Sequence, residues 1–283
     1  MSARFGPAGN SDSFSKKYKS TVDAPLFLKE MGLDHYEYQC GRGVRVSDKT
    51  AADLRRKAEE NGITLSLHAP YFISLSSVEP EKRDNSINYI LQSCDAAGRI
   101  GADRIVIHSG SCAKISREEA LELAKDTLTR ARAMAVEQGF ESIIFCPETM
   151  GKTNQLGTLE EVLELCRLDD TFLPCIDFGH LNARTFGGIK SIDDYAAMLD
   201  LVEDKLGIDR LKVFHSHFSK IKYTNPGGEK NHLTFEDTEY GPDFEPLMEL
   251  VAKRNLSPVF ICESAGTQAE DSLKMKTEYE KHL

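Results

Sequence analysis

Paired cysteines, long apolar runs and a surplus of basic residues are all missing from this sequence. Its seven cysteines are scattered and form no Cys-x-x-Cys pair, which argues against a disulfide framework and is typical of a reducing compartment. No apolar run approaches the ~18 residues of a membrane-spanning helix, and the first residues lack the pattern of a signal peptide. We therefore expect a cytoplasmic protein without membrane contact. Because no flexible linker or short repeat interrupts the chain, residues 1–283 are predicted to form a single domain.

Acidic residues outnumber basic ones, with 45 Asp and Glu against 35 Lys and Arg and a net charge of −10. Nucleic-acid-binding proteins usually carry a basic face, so this balance weighs against a DNA partner. Bound divalent cations would offset part of the charge, and the remaining charge can be unevenly distributed. The acidic composition therefore disfavours a DNA substrate without excluding it.

Short apolar runs alternate with longer amphipathic segments such as Asp48–Asn61 and Arg117–Gln138. Runs such as RIVIH and SIIFCP are apolar on both faces, which is typical of parallel strands covered by helices. No G-x-G-x-x-G turn follows the first strand, which argues against a dinucleotide-binding sheet. We predict the α/β class and a single-domain (β/α)8 TIM barrel. Its strands are predicted at Arg4–Gly6, Tyr36–Gln39, Thr64–His68, Arg104–His108, Ser142–Pro147, Phe172–Asp177, Leu211–His217 and Pro258–Glu263.

Polar side chains stand at the C-terminal ends of the predicted strands, where barrels of this kind build their active sites. One such residue is more often a hydrogen-bonded rim residue or a helix cap than a metal ligand. Six on consecutive strands are hard to explain in that way, because ionised groups are rarely buried without a partner. The pattern therefore predicts a metal centre formed by His68, His108, Glu148, Asp177, His215 and Glu263.

The candidate ligands are imidazoles and carboxylates, without cysteine. This set favours zinc, with manganese or iron as alternatives, over a structural thiolate site. Because one carboxylate can bridge two cations, and dinuclear sites commonly hydrolyse phosphodiesters, such hydrolysis is a natural interpretation.

At these residues the sequence resembles the endonuclease IV family of abasic-site DNA repair enzymes, which belongs to the xylose-isomerase-like barrel superfamily. The resemblance runs from His68 to Glu263 in the same order, through LHAPYFISLSS, PETMGKTNQLGTLEEV, CIDFGHLNAR and HSHFSK. It implies base excision repair on double-stranded DNA, with hydrolysis of the phosphodiester 5′ to an abasic site and removal of 3′-blocking groups. No obligate protein partner is expected, and we expect a monomer.

The resemblance also implies two or three zinc ions. The first ion would be held by His68, His108 and a bridging Glu148. The second would be held by Glu148, Asp177, His215 and Glu263, and the third by His180 and His232. Glu148 and Glu263 would be the catalytic carboxylates that orient the attacking hydroxide.

Several residues are expected to contact DNA. Tyr71 and, more loosely, Arg42 correspond to residues that the family inserts at the lesion. Basic side chains are expected to make the strand-end face locally positive, namely Arg42, Arg184, Lys220 and Lys222.

The segment after the seventh strand departs from the family pattern. Where the family has Asp-x-His, this sequence has Lys230-Asn231-His232, preceded by an insertion at Asn225–Gly228. We expect the third site to be weakened, or completed by Glu229 or Glu236. Lys230 itself is a candidate contact to substrate phosphate.

Two other functional classes stay open. A sugar isomerase or epimerase of the same superfamily would use a single metal held by Glu148, Asp177, His215 and Glu263, and would leave His68 and His108 without a role. A non-catalytic paralogue would bind abasic DNA without cleaving it. The number of bound metals separates the nuclease from the isomerase.

Overall fold

The predicted strands form one parallel sheet that closes on itself. The structure, a computed structural model, describes residues 2–283. The order around the sheet is β1-β10-β7-β6-β5-β4-β3-β2, and a parallel bridge from Ala8 to Glu37 joins its two ends. This confirms the predicted (β/α)8 barrel. The strands of residues 2–283 are β1 (Arg4–Pro7), β2 (His35–Gln39), β3 (Thr64–His68), β4 (Arg104–His108), β5 (Ile144–Glu148), β6 (Cys175–Asp177), β7 (His215–Phe218), β8 (Ile221–Thr224), β9 (Gly228–His232) and β10 (Val259–Cys262).

Helices cover the outside of the barrel. The sequence predicted the longer ones but not α1, α2, α7 and α9, which are too short to display a helical period. Ser116 and Thr158 begin α5 and α6 with capping boxes, each closed by a glutamate three residues later. Within residues 2–283 the helices are α1 (Asp12–Lys17), α2 (Ala24–Met31), α3 (Asp48–Asn61), α4 (Pro80–Ile100), α5 (Arg117–Glu137), α6 (Leu159–Cys166), α7 (Phe178–Arg184), α8 (Ile192–Leu206), α9 (Ile208–Lys212), α10 (Glu245–Lys253) and α11 (Gln268–Glu280).

The barrel interior contains both apolar and polar side chains. Val106, Cys146 and Cys175, from β4, β5 and β6, belong to a small apolar cluster separate from the main core. Among the polar side chains, Glu37 of β2 and Ser66 of β3 are fully buried and hydrogen-bonded to each other. Burying such groups is costly unless each finds a partner. The polar part of the interior is therefore a connected network, and it lies directly below the strand ends.

The segment after β7 is a β-hairpin formed by β8 and β9. Strands β8 and β9 pair in antiparallel fashion, with a register shift that leaves Lys230 as the extra residue of a bulge. The hairpin docks on the segment after β5, where the Glu229 backbone N–H donates to the Gly151 carbonyl at 3.1 Å. A side chain at Gly228 would lie 2.3 Å from that same carbonyl oxygen, so this approach requires glycine.

No helix within residues 2–283 is both long and apolar enough to cross a membrane.

Candidate metal centre

Glu148, at the end of β5, lies at the centre of the predicted ligands and is 1% exposed. Its Oε2 atom is 3.4 Å from Nε2 of His68 and 3.2 Å from Nε2 of His108. Its Oε1 atom is 3.0 Å from Nδ1 of His217. The two oxygens thus face different imidazoles, which is the arrangement that a carboxylate bridging two cations needs.

A second group of ligands surrounds the other side of Glu148. The donor atoms of Glu148, Asp177, His217 and Glu263 all lie within 4.8 Å of one another. Nδ1 of His217 is 3.5 Å from Oε1 of Glu263. Four donors of this kind are enough for one divalent cation.

The structure brings His217, not His215, to this second group. Both residues point into the barrel because they are two apart on β7, but His215 lies one layer deeper. Its Nε2 atom is 2.9 Å from the Glu37 carboxylate. The residue of β7 that lies beside Glu148 and Glu263 is therefore His217, which stands nearer the strand end than the predicted ligand His215.

His180, Glu229 and His232 form a third group, again with donor atoms within 4.8 Å of one another. Nε2 of His180 is 3.5 Å from Oε2 of Glu229. In a regular strand, Glu229 and His232 would face opposite ways because they are three residues apart. The bulge at Lys230 shifts the alternation and turns both side chains inwards.

The other candidates from this segment lie away from the third group. Lys230 is exposed. Glu236, the alternative carboxylate, is also exposed and pairs with Lys274 at the surface, at 2.5 Å. The carboxylate at the third group is therefore Glu229, in a position that the family's Asp-x-His spacing does not indicate.

The ligand groups fit divalent cations by an observation independent of the resemblance. Oε2 of Glu148 and Oδ2 of Asp177 are buried and accept no hydrogen bond from the described residues 2–283. Buried carboxylate oxygens that accept no hydrogen bond are strongly destabilising unless a cation or proton compensates them. Histidine and carboxylate donors are those that zinc, manganese and iron accept.

Protons take part of this compensating role in the metal-free protein. Burial alone would raise the pKa of Glu148, but the neighbouring imidazoles, His217 foremost, hold it well below its ordinary value. Burial lowers the pKa of His68, whereas the Glu148 carboxylate raises it to a net value of about 8. Burial also opposes protonation of His180, yet Asp177 and Glu229 raise its pKa to about 9.

Metal uptake is therefore expected to release protons and to strengthen as the pH rises. At pH 7 the imidazoles of His68 and His180, with pKa values of about 8 and about 9, carry protons that a cation must displace. Calorimetric titration with Zn²⁺ in two buffers of different ionisation enthalpy counts the released protons. We expect fewer protons and a higher affinity above about pH 9 than at about pH 7. An affinity that does not change between these pH values would contradict this assignment.

The ligand groups line a cavity of about 290 Å³ at the mouth of the barrel. Tyr71, which the resemblance predicts to contact DNA, stands at its rim with 56% of its surface exposed. Arg42 is exposed in the segment after β2, next to the cavity-lining Gly41. The cavity is lined by Gln39, Gly41, His68, Tyr71, His108, Glu148, Met150, Lys152, Gln155, His180, Glu229, His232 and Glu263.

Two of the basic residues expected to make this face positive are engaged elsewhere. Arg184 donates to the backbone carbonyls of Met150, Lys152 and Gln155 at 2.9, 2.7 and 2.9 Å. Nζ of Lys220 is 3.0 Å from a carboxylate oxygen of Asp243. Arg184 thus fixes the segment after β5 instead of presenting its charge to a ligand.

Glu37, Lys152 and Gln155 lie at or below the cavity but were not among the residues predicted from the sequence. A signal for Glu37 exists in β2, where His35, Glu37 and Gln39 are polar and alternate with two tyrosines. This alternation indicates a polar inward face. Lys152 and Gln155 have no comparable signal in the sequence. They reach the cavity because of the shape of the segment after β5, which is irregular and has no alternation to read.

Relatives of this chain include proteins named as nucleases. An uncharacterized protein of Methanocaldococcus jannaschii is 32% identical over 272 residues, covering 96% of this chain and 95% of its own. A probable endonuclease 4 of Mycoplasma genitalium is 27% identical over 269 residues, covering 93% and 86%.

Solved structures with this fold have different activities. A 3-keto-D-glucoside 4-epimerase from E. coli superimposes with a TM-score of 0.70 at 17% identity, covering 98% of this chain and 99% of its own. Endonuclease IV from Thermus thermophilus gives 0.67 at 19% identity, covering 99% and 98%. At these identities the likeness shows the fold alone.

The family model described as "Xylose isomerase-like TIM barrel" matches residues 26–279. That range includes every ligand in the three groups around Glu148, Asp177 and His180. The chain therefore belongs to the xylose isomerase-like TIM barrel family of enzymes.

Proposed function

We propose that this protein is a metal-dependent phosphodiesterase that cleaves DNA 5′ to abasic sites and trims 3′-blocking groups. The observation that carries the proposal is the number of ligand groups. His68 and His108 flank one oxygen of Glu148, and a separate group contains His180 and Glu229. A single-metal sugar isomerase has no use for these additional ligands, whereas two or three zinc ions would occupy them.

The roles of the chain's own residues follow from their positions. Bound cations would supply a water of lowered pKa and would neutralise charge on the phosphate oxygens. Glu148 would belong to two ligand groups at once, because each of its two oxygens faces a different group. The side chain of Glu263 is 16% exposed and lines the cavity, so it can orient the attacking water. Tyr71, exposed at the rim, would contact the substrate beside the missing base.

The decisive experiment combines elemental analysis with a cleavage assay. We expect two or three zinc ions per chain and nicking of a duplex that carries one tetrahydrofuran abasic analogue. An undamaged duplex of the same sequence is the control. One metal per chain, or intact abasic duplex after prolonged incubation with zinc-loaded protein, would contradict the proposal.

A sugar isomerase or epimerase is the second candidate. It is favoured by the group of Glu148, Asp177, His217 and Glu263, which would by itself hold a single cation. The acidic net charge of −10 also suits a small neutral substrate better than DNA. One metal per chain, with interconversion of ketose epimers, would establish this alternative.

The third group yields its own prediction. Glu229→Gln is expected to remove one ion per chain on dialysis, because only His180 and His232 would then hold it and catalytic zinc usually has three protein ligands. The matched control is Lys230→Gln, the next residue, whose exposed side chain should leave metal content unchanged. Metal content measured after dialysis decides the point. Equal metal content in Glu229→Gln and the unmodified protein would show that Glu229 is not a ligand.

A further inference from the structure

Glu37, in the middle of β2, is a fully buried carboxylate below the metal centre. Its Oε2 atom accepts hydrogen bonds from the Ser66 hydroxyl and from Nε2 of His215, both at 2.9 Å. Its Oε1 atom accepts one from the Gln39 amide at 3.1 Å. A charge in this position is too costly to keep merely to fill space.

The same carboxylate reaches the ligand group through His217. Nε2 of His217 lies 2.9 Å from Oε1 of Glu37, close enough for a hydrogen bond but away from its ideal angle. The other ring nitrogen, Nδ1, is 3.0 Å from Glu148. One imidazole therefore connects Glu37 below with the bridging carboxylate above.

The hydrogen bonds beneath Glu37 have a defined direction. A carboxylate only accepts, so Ser66 donates its hydroxyl proton to Glu37. The Ser66 oxygen is then free to accept from Nε2 of His35, at 2.9 Å, while Nδ1 of His35 lies 2.7 Å from the Thr64 hydroxyl oxygen. This chain holds Glu37 as an acceptor facing His217.

We propose that Glu37 is a positioning residue for metal binding. It holds the proton of His217 on Nε2 and so leaves the lone pair of Nδ1 directed at a cation. Outer partners of this kind fix the ring and increase the basicity of a ligand. The inference rests on the proposed function only through the metal centre and not through the DNA substrate.

The test measures the Zn²⁺ affinity of metal-stripped protein by competition with a chelator. Glu37→Gln keeps the size and a carbonyl acceptor but loses the charge, and we expect its affinity to fall about ten- to a hundredfold. The leucine in Glu37→Leu cannot accept a hydrogen bond, so we expect the Zn²⁺ affinity of this variant to fall further. The control is Cys175→Ser, which alters a buried group beside His217 and should leave the affinity within about threefold.

A second readout separates positioning from a structural role. In zinc-loaded, ¹⁵N-histidine-labelled protein, with the His217 signal assigned from His217→Asn, we expect the Nε2–H form in the unmodified protein and a mixture of tautomers in Glu37→Leu. Glu37 variants that melt at a lower temperature yet keep the Zn²⁺ affinity and the tautomer would overturn the inference. An affinity lost equally in Cys175→Ser would also overturn it, since the deeper group of Cys175, His215 and His217 would then hold the ion.

The outcome for Glu37 is independent of the outcome for the reaction. If the unmodified protein cleaves abasic DNA and Glu37→Gln binds Zn²⁺ as tightly, the positioning role fails and the phosphodiesterase stands. If Glu37→Gln binds Zn²⁺ weakly and the unmodified protein leaves abasic DNA intact, the positioning role stands and the phosphodiesterase fails.

Discussion

Glu148→Gln is expected to reduce kcat for abasic-site cleavage by about three orders of magnitude, which corresponds to about 4 kcal/mol. The reason is the position of the carboxylate, whose two oxygens face His108 on one side and His217 on the other. A neutral amide bridges two cations poorly, and it leaves the charge of both uncompensated. The measurement is single-turnover cleavage at saturating enzyme, together with the zinc content of the purified variant.

The matched control is Glu141→Gln, which makes the same chemical change at an exposed residue just before β5. Its activity and metal content should equal those of the unmodified protein. Circular dichroism should show the same helix content in both variants. If Glu148→Gln kept full zinc and more than a tenth of the activity, Glu148 could not be the bridging ligand.

The second large effect distinguishes the two histidines of β7. His217→Asn is expected to lose the cation of the second group and to reduce kcat by about three orders of magnitude, or about 4 kcal/mol. Nδ1 of His217 lies within 3.5 Å of both Glu148 and Glu263, so the substitution removes the nitrogen donor that these two carboxylates share.

His215→Asn should reduce activity less than about tenfold, the lower limit for an outer partner of a ligand. His215 contacts Glu37 and is fully buried one layer below the ligands. Zinc content and cleavage rate of both variants decide the assignment. A larger loss of zinc in His215→Asn than in His217→Asn would restore the assignment made from the sequence.

Most residues of the candidate metal centre could be predicted, because side chains at the C-terminal ends of barrel strands converge independently of the loop conformations. His68, His108, Glu148, Asp177 and Glu263 each follow an apolar run, and the closed sheet brings the five side chains to one rim. The sequence could not distinguish His215 from His217, because two histidines on the same face of β7 have the same alternation. Only the register of the strand, with Asp177 opposite His217, decides which one stands at the rim.

The third group was less predictable. The sequence has several carboxylates near His232, and no periodic pattern of residues indicates which of them faces the cavity. The choice depends on a bulge at Lys230 and on the docking of Gly228 against Gly151, both of which are long-range features. A bulge inverts the facing of every later residue in its strand, so sequence spacing carries no information about it.

By itself, the sequence determined the barrel and the chemical type of the centre, because hydrophobic alternation and the identity of the donors are local properties. The tertiary structure decided how the ligands are shared and supported. It placed His217 between Glu148 and the buried Glu37, which are distant in the chain, and it turned Glu229 towards His180. These arrangements depend on which layer of the closed barrel each side chain occupies, and strand register, rather than residue order, sets that layer.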